Sequence, residues 1–182
     1  MLTPEQREIA TEYLRAKEQW SRENDWLVRD RPRASVPALV PLAAREIYHD
    51  HYGNPYTGDP LHGVVDFYTH PMRLMAALIA GPASVARLFI DCDDVALLYA
   101  SMVRQVAGYT VNIITLIDSG IAGSHVICTY TGPGGVCGAL DTNGHHVLAN
   151  LDEQTICDHW TSIYASLGYH YIGALITPDP FR

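Results

Sequence analysis

The chain predicts an α+β fold in which a buried helix packs on an antiparallel sheet. Three observations lead there. Val95, Leu98, Tyr99, Met102, Val103 and Val106 recur at i, i+3, i+4, i+7, i+8 and i+11, the spacing that gathers apolar side chains on one face of a helix. Downstream, segments 109–117, 124–130 and 136–141 read as strands, separated by DSGIAG and TGPGG, turn-rich links short enough to favour hairpins. Helical patterns come first and strands follow, the order of an α+β chain rather than of repeated βαβ units.

Taken in order, residues 3–24 predict a helix, with Thr3 as N-cap, Pro4 at the first helical position and Glu5 and Gln6 behind it. Its apolar stripe is sparse, so it should pack over a rim. Pro32, Pro37 and Pro41 make 29–41 an extended connection, a short helix follows over 42–51, and HYGNPYTGDPLHG at 51–63 is a loop. Pro71 opens a helix that Gly81-Pro82 stops. Next comes the helix of the apolar stripe, ended by Gly108. After the three strands, a helix over 152–167 and a last strand over 169–176 complete the chain. At 182 residues the chain is long enough to bury one core, and it reads as a single domain, with a helical and loop region at 1–63 ahead of a core at 64–182.

Composition narrows the function classes. Twelve basic against twenty acidic residues give a net charge of −8, which argues against a broad nucleic-acid surface, since that affinity rests on Lys and Arg. The first twenty residues are polar and charged with no signal-peptide pattern, and no stretch is apolar for the roughly 18 residues a membrane span needs. Cys92, Cys128, Cys137 and Cys157 are widely spaced, with no C-x-x-C pair, so they are expected as free thiols in a reducing, cytoplasmic compartment. His145 and His146 lie near Cys128 and Cys137, but the spacing lacks the tight pairs of a zinc site, and no metal or organic cofactor is expected. His159 on the late helix is expected at the surface, and Tyr164, Tyr169 and Tyr171 in the core.

The chemistry-bearing stretch is FIDCDDVALLYASM, at 89–102, where a thiol sits among three aspartates at the start of the helix. Asp91 is placed as N-cap, and Asp93 and Asp94 complement the helix dipole in the first turn. The same N–H groups that attract an anion lower a thiol pKa, whereas nearby carboxylates raise it, so a reactive Cys92 needs a cationic partner. His125, in GSHVICTY, opens the second strand, and Asp141, in GALDTNG, closes the third. On adjacent strands both would reach one end of the sheet, and Cys, His and an orienting carboxylate are the parts of a thiol acyl-transfer triad. The Cys92 sulfur should then face one ring nitrogen of His125, and Asp141 the other.

DCDDVALLYASMVRQVAGYTVNIIT, GSHVICTY and GALDTNG together resemble the core of the transglutaminase-like superfamily, a branch of the papain-like fold, over about 50 residues. The DCDD form is similar to small stand-alone members from bacteria and their phages, which would allow a virion-associated setting. The resemblance implies a nucleophile helix on an antiparallel sheet, with Cys92 as nucleophile, His125 as general base and Asp141 as orienting carboxylate. It implies a cysteine hydrolase or acyltransferase acting on amide bonds of a peptide or protein. Two positions depart from the family: Ile90 stands where a Gly is common, and 72–91 contains no Asn, Gln or Trp to complete an oxyanion hole. The alternative is a non-catalytic peptide- or protein-binding or structural module on the same fold. An arylamine N-acetyltransferase shares the triad order but needs a longer chain.

Overall fold

The computed structural model describes residues 90–120 and 124–178, with two isolated positions, Pro4 and Pro37, before them. The elements expected over 3–80, and the division at residue 63, lie outside the described residues. The architecture within them is α+β: a five-stranded antiparallel sheet with two α-helices.

Helix α1 (Cys92–Val103) starts where the acidic cluster predicts. The Asp91 side chain accepts from the Asp93 backbone N–H at 3.3 Å, and the Asp94 carboxylate accepts from the Asp91 N–H at 3.3 Å. This reciprocal capping box satisfies donors that the first helical turn cannot pair internally. Every residue from Asp93 to Val103 is buried, so α1 is a central helix enclosed on all sides. The apolar stripe runs to Val106, but the helix ends at Val103: Gln105 and Val106 donate instead to the carbonyls of Met102 and Val103, a tighter turn. Gly108, with φ of +83°, then reverses the chain in a conformation that a Cβ would oppose.

The sheet comprises β1 (Thr110–Asp118), β2 (His125–Thr131), β3 (Cys137–Asp141), β4 (Gly144–Val147) and β5 (Tyr171–Pro178), in the order β4-β3-β2-β1-β5. β2 and β3 are neighbours, joined through the short turn Pro133–Gly135, so the start of β2 and the end of β3 share one end of the sheet. β4 is the one described strand that the sequence did not predict. GHHV has no apolar alternation, yet Thr142 and Asn143 form a two-residue turn that folds it back on β3, pairing Asp141 with Gly144. Helix α2 (Glu153–Tyr164) carries the chain from β4 to the far edge, where β5 pairs with β1. Its N-cap is Asp152, which accepts from the Thr155 N–H at 2.7 Å. A single 3₁₀ turn, Ala165–Leu167, replaces the expected last helical turn.

The two helices cover opposite faces of the sheet. On the α1 side, Leu98, Met102 and Val103 pack with Val111 and Ile113 of β1, Val126 and Cys128 of β2 and Leu140 of β3. On the α2 side, Ile156, Cys157 and Trp160 pack with Ile114 and Leu116 of β1, Ile127 of β2 and Ala139 of β3. The alternation of strand side chains divides β1, β2 and β3 between these two cores. Among the described residues, no helix is long and apolar enough to cross a membrane.

Candidate active site

Register decides which side chains can meet. His125 pairs with Leu116 across β1–β2, Ala139 pairs with His146 across β3–β4, and Asp141 follows Ala139 by two residues. Since cross-strand partners share a face, His125, Asp141 and His146 all project to the α2 side of the sheet. The two-residue hairpin brings His146 back beside Asp141, and α2 lays Trp160 and Tyr164 over them.

Asp141 is the hub. It is fully buried and accepts five hydrogen bonds. At Oδ2 the donors are His125 Nε2 at 3.0 Å, Trp160 Nε1 at 2.8 Å and the Tyr164 hydroxyl at 3.3 Å. At Oδ1 they are His146 Nε2 at 3.0 Å and the Asn143 backbone N–H at 2.7 Å. Burial by itself would push the carboxyl pKa up. The hydrogen bonds and charge of His125, with the donors on His146 and Trp160, outweigh it and hold Asp141 well below the usual carboxylate range. A permanent anion therefore sits beneath the imidazole of His125.

The opposite pressure acts on the tyrosines. Burial, then the Asp141 charge, pushes the Tyr164 phenol up to about 12, and burial pushes Tyr171 far above its ordinary value. Both stay neutral donors through the physiological range. Tyr164 meets the His125 ring edge-on at 5.2 Å between centroids, and Tyr171 lies at 6.5 Å. His125 thus has Nε2 committed to Asp141, which leaves Nδ1 as the ring nitrogen available to a thiol.

Cys92 opens α1, half-buried, and packs with the α1-side core. The imidazole and carboxylate project to the other face of the sheet. Tyr171, at the start of β5, lies at the end of the sheet where β2 begins; its ring flanks His125, and the Cys92 charge is among the lesser causes of its raised pKa, after burial and the neighbouring tyrosines. The pairing of His125 with Asp141 agrees with the sequence reading, and so does the position of Cys92 at the start of a central helix.

Sequence reasoning missed the α2 contribution and β4. His159 is only partly exposed, with Nε2 3.1 Å from His146 Nδ1. Tyr164 is half-buried and belongs to the polar cluster as much as to the core. The available signal was Thr-Asn-Gly immediately after Asp141, a turn sequence that returns the next residues to the same strand end.

All four cysteines are free thiols. Among the described residues, Asp91, Asp93 and Asp94 are the carboxylates close enough to share a metal ion. Asp91 and Asp94 are engaged as the helix cap, and a cation there would meet the positive end of the α1 dipole. No protein-family model matches the chain, and no curated protein matches it either.

Proposed function

We propose that the protein is a transglutaminase-like thiol hydrolase or acyltransferase acting on amide bonds of a peptide or protein substrate. The observation that carries this reading is the 3.0 Å hydrogen bond from His125 Nε2 to a buried Asp141 anion, at the end of two neighbouring strands, in a chain whose central helix opens on Cys92. His125 Nδ1 takes the Cys92 proton, and the thiolate adds to the amide carbonyl. Asp141 stabilises the resulting imidazolium and holds the ring orientation. The imidazolium returns its proton to the leaving amine as the C–N bond breaks, leaving a thioester on Cys92. Water or a second amine then attacks the thioester and regenerates the thiol. The backbone N–H of Cys92 is one donor to the tetrahedral oxyanion.

A second reading, a binding module that keeps this architecture without catalysis, is favoured by one observation: Cys92 packs with the α1-side core while the imidazole projects to the α2 side. Site-resolved alkylation separates the two. Under the catalytic reading, iodoacetamide modifies Cys92 much faster than the half-buried Cys137, whose Sγ contacts the Leu148 carbonyl at 3.4 Å, and His125→Ala removes that advantage. Equal rates at Cys92 and Cys137, unchanged by His125→Ala, would leave the binding module.

A further inference from the structure

Asp141 carries a second imidazole, on the oxygen that His125 does not use. His146 Nε2 lies 3.0 Å from Oδ1, and behind it His146 Nδ1 lies 3.1 Å from His159 Nε2. The chain of contacts runs from α2 through β4 and β3 to β2: His159, His146, Asp141, His125. Trp160 braces it, with its ring 5.1 Å from His146 and 4.7 Å from His159, while its own N–H reaches Asp141.

Proton counting gives this chain a direction. A neutral imidazole has one N–H and one lone pair, and a carboxylate only accepts. Both His125 and His146 must therefore present Nε2–H to Asp141. His146 then has a lone pair at Nδ1, which is satisfied if His159 presents Nε2–H. Burial, and next the neighbouring His146, pushes the His159 pKa down, which favours the neutral donor form this arrangement needs. Each tautomer is fixed by its neighbour, and the last one fixed leaves the Nδ1 lone pair of His125 for a thiol proton.

We propose that His146 and His159 are positioning residues, which hold Asp141 with Oδ2 toward His125 and through it select the Nε2–H tautomer of that ring. The consequence for thiol chemistry rests on the proposed function; the tautomer itself does not. Asn143 N–H and His146 together fix Oδ1, and removing His146 leaves one donor there against three at Oδ2. Oδ1 is then held by the Asn143 N–H alone, so the carboxylate is anchored less firmly on that side and its presentation of Oδ2 to His125 is less fixed.

The experiment reads both levels on the full-length chain. Long-range proton–nitrogen NMR spectra of the histidine rings give the tautomers directly. In the wild type, His125, His146 and His159 should all be Nε2–H. In His146→Phe, His125 should become a mixture of tautomers. In His146→Gln, whose amide still donates toward Oδ1, it should stay largely Nε2–H. In His159→Phe, a change on a half-buried helix position, His146 should keep Nε2–H toward Asp141 while its Nδ1 resonance moves, as that lone pair loses its donor. Alkylation of Cys92 should slow about 10–100-fold in His146→Phe, by analogy with the outer-shell partners of metal-ligating histidines, with recovery in the Gln variant and a displaced pH profile. An unchanged His125 tautomer in His146→Phe overturns the proposal, as does a Gln variant no better than Phe. If His146→Phe loses its dispersed spectrum, an unmoved His146 Nδ1 resonance in His159→Phe overturns the proposal instead. If Cys92 shows no selective alkylation in the wild type, the proposed function fails, while the tautomer measurement still decides this inference.

Discussion

Asp141→Asn is isosteric, yet it should be among the costlier single changes in the described core. The carboxylate faces donors on both oxygens, and a carboxamide can accept on only one side. With its NH₂ turned to the Oδ2 position it would oppose His125, Trp160 and Tyr164; turned to the Oδ1 position, it would oppose His146 and the Asn143 backbone N–H. The second arrangement strands fewer donors. His146 can adapt by moving its proton to Nδ1, but it then confronts His159 at 3.1 Å, and the Asn143 N–H cannot adapt at all. One to two orphaned buried donors at about 1–3 kcal/mol each predict a loss of about 2–5 kcal/mol. The change also removes a pH dependence. Because the folded-state pKa of Asp141 is depressed, its contribution is complete above the unfolded value of about 3.9 and is lost as pH falls below that toward the folded value. Urea unfolding followed by tryptophan fluorescence should therefore show a wild-type advantage at neutral pH that narrows in acid. A loss below about 1 kcal/mol at neutral pH, or a gap that does not change between about pH 5 and pH 3, would refute this account of Asp141 as a charged hub.

Other substitutions test the layers around it. Cys92→Ala removes one half-buried sulfur at a helix tip and should cost only about 1–2 kcal/mol in a thermal melt, while abolishing any thiol-dependent amide chemistry. Leu98→Ala, at a fully buried α1 position, should cost about 2–5 kcal/mol and leave Cys92 in place at the helix start. Gly138→Ala would set a Cβ 2.5 Å from the His146 carbonyl oxygen and 2.5 Å from the Tyr130 hydroxyl, so β4 must shift from β3; a loss of about 1–3 kcal/mol with perturbed His146 resonances is expected. With its phenol raised to about 12, Tyr164 belongs to the late part of an alkaline phenolate titration; Tyr164→Phe should remove amplitude there, and loss from the early part would contradict the burial against Asp141.

The sequence was most legible where local physics and burial agree. Val95, Leu98, Tyr99, Met102 and Val103 repeat at helical spacing, Asp91 and Asp94 make a capping box, and the helix starts at Cys92 accordingly. The turn-rich links likewise mark β1, β2 and β3, and adjacency of β2 and β3 follows from a link too short for any crossover. β4 was illegible because Gly-His-His-Val has no apolar alternation: His145 bonds the Tyr130 hydroxyl at 2.6 Å on one face and His146 bonds Asp141 on the other, so both sides of the strand are polar. The roles of Trp160 and His159 were hidden for a different reason. A buried tryptophan on an amphipathic helix reads as core, and nothing in its spacing discloses that its N–H meets a carboxylate 19 residues earlier. The division of Cys92 and His125 between the two faces was hidden too, because it depends on the register between β1 and β2 and on which face α1 covers.

The helix start and the hub together answer why a thiol sits among aspartates. The positive end of α1 would favour a Cys92 thiolate if it were unmet, but Asp91 and Asp94 already accept from the first-turn backbone. Their negative charge opposes a second anion at the same tip. Helix-dipole activation is therefore opposed at this tip, and under the proposed function the stabilisation of a thiolate falls to the His125 imidazolium. Beneath that ring lies Asp141, held as an anion because five donors converge on it. On the same reading, the acidic cap makes Cys92 reactivity conditional on His125, and the buried hub ties the placement of His125 to β4 and α2. Under the proposed function, a thiol so placed is reactive only when the whole end of the sheet is assembled, which is the dependence that paired measurements on the His125 and His146 variants would read.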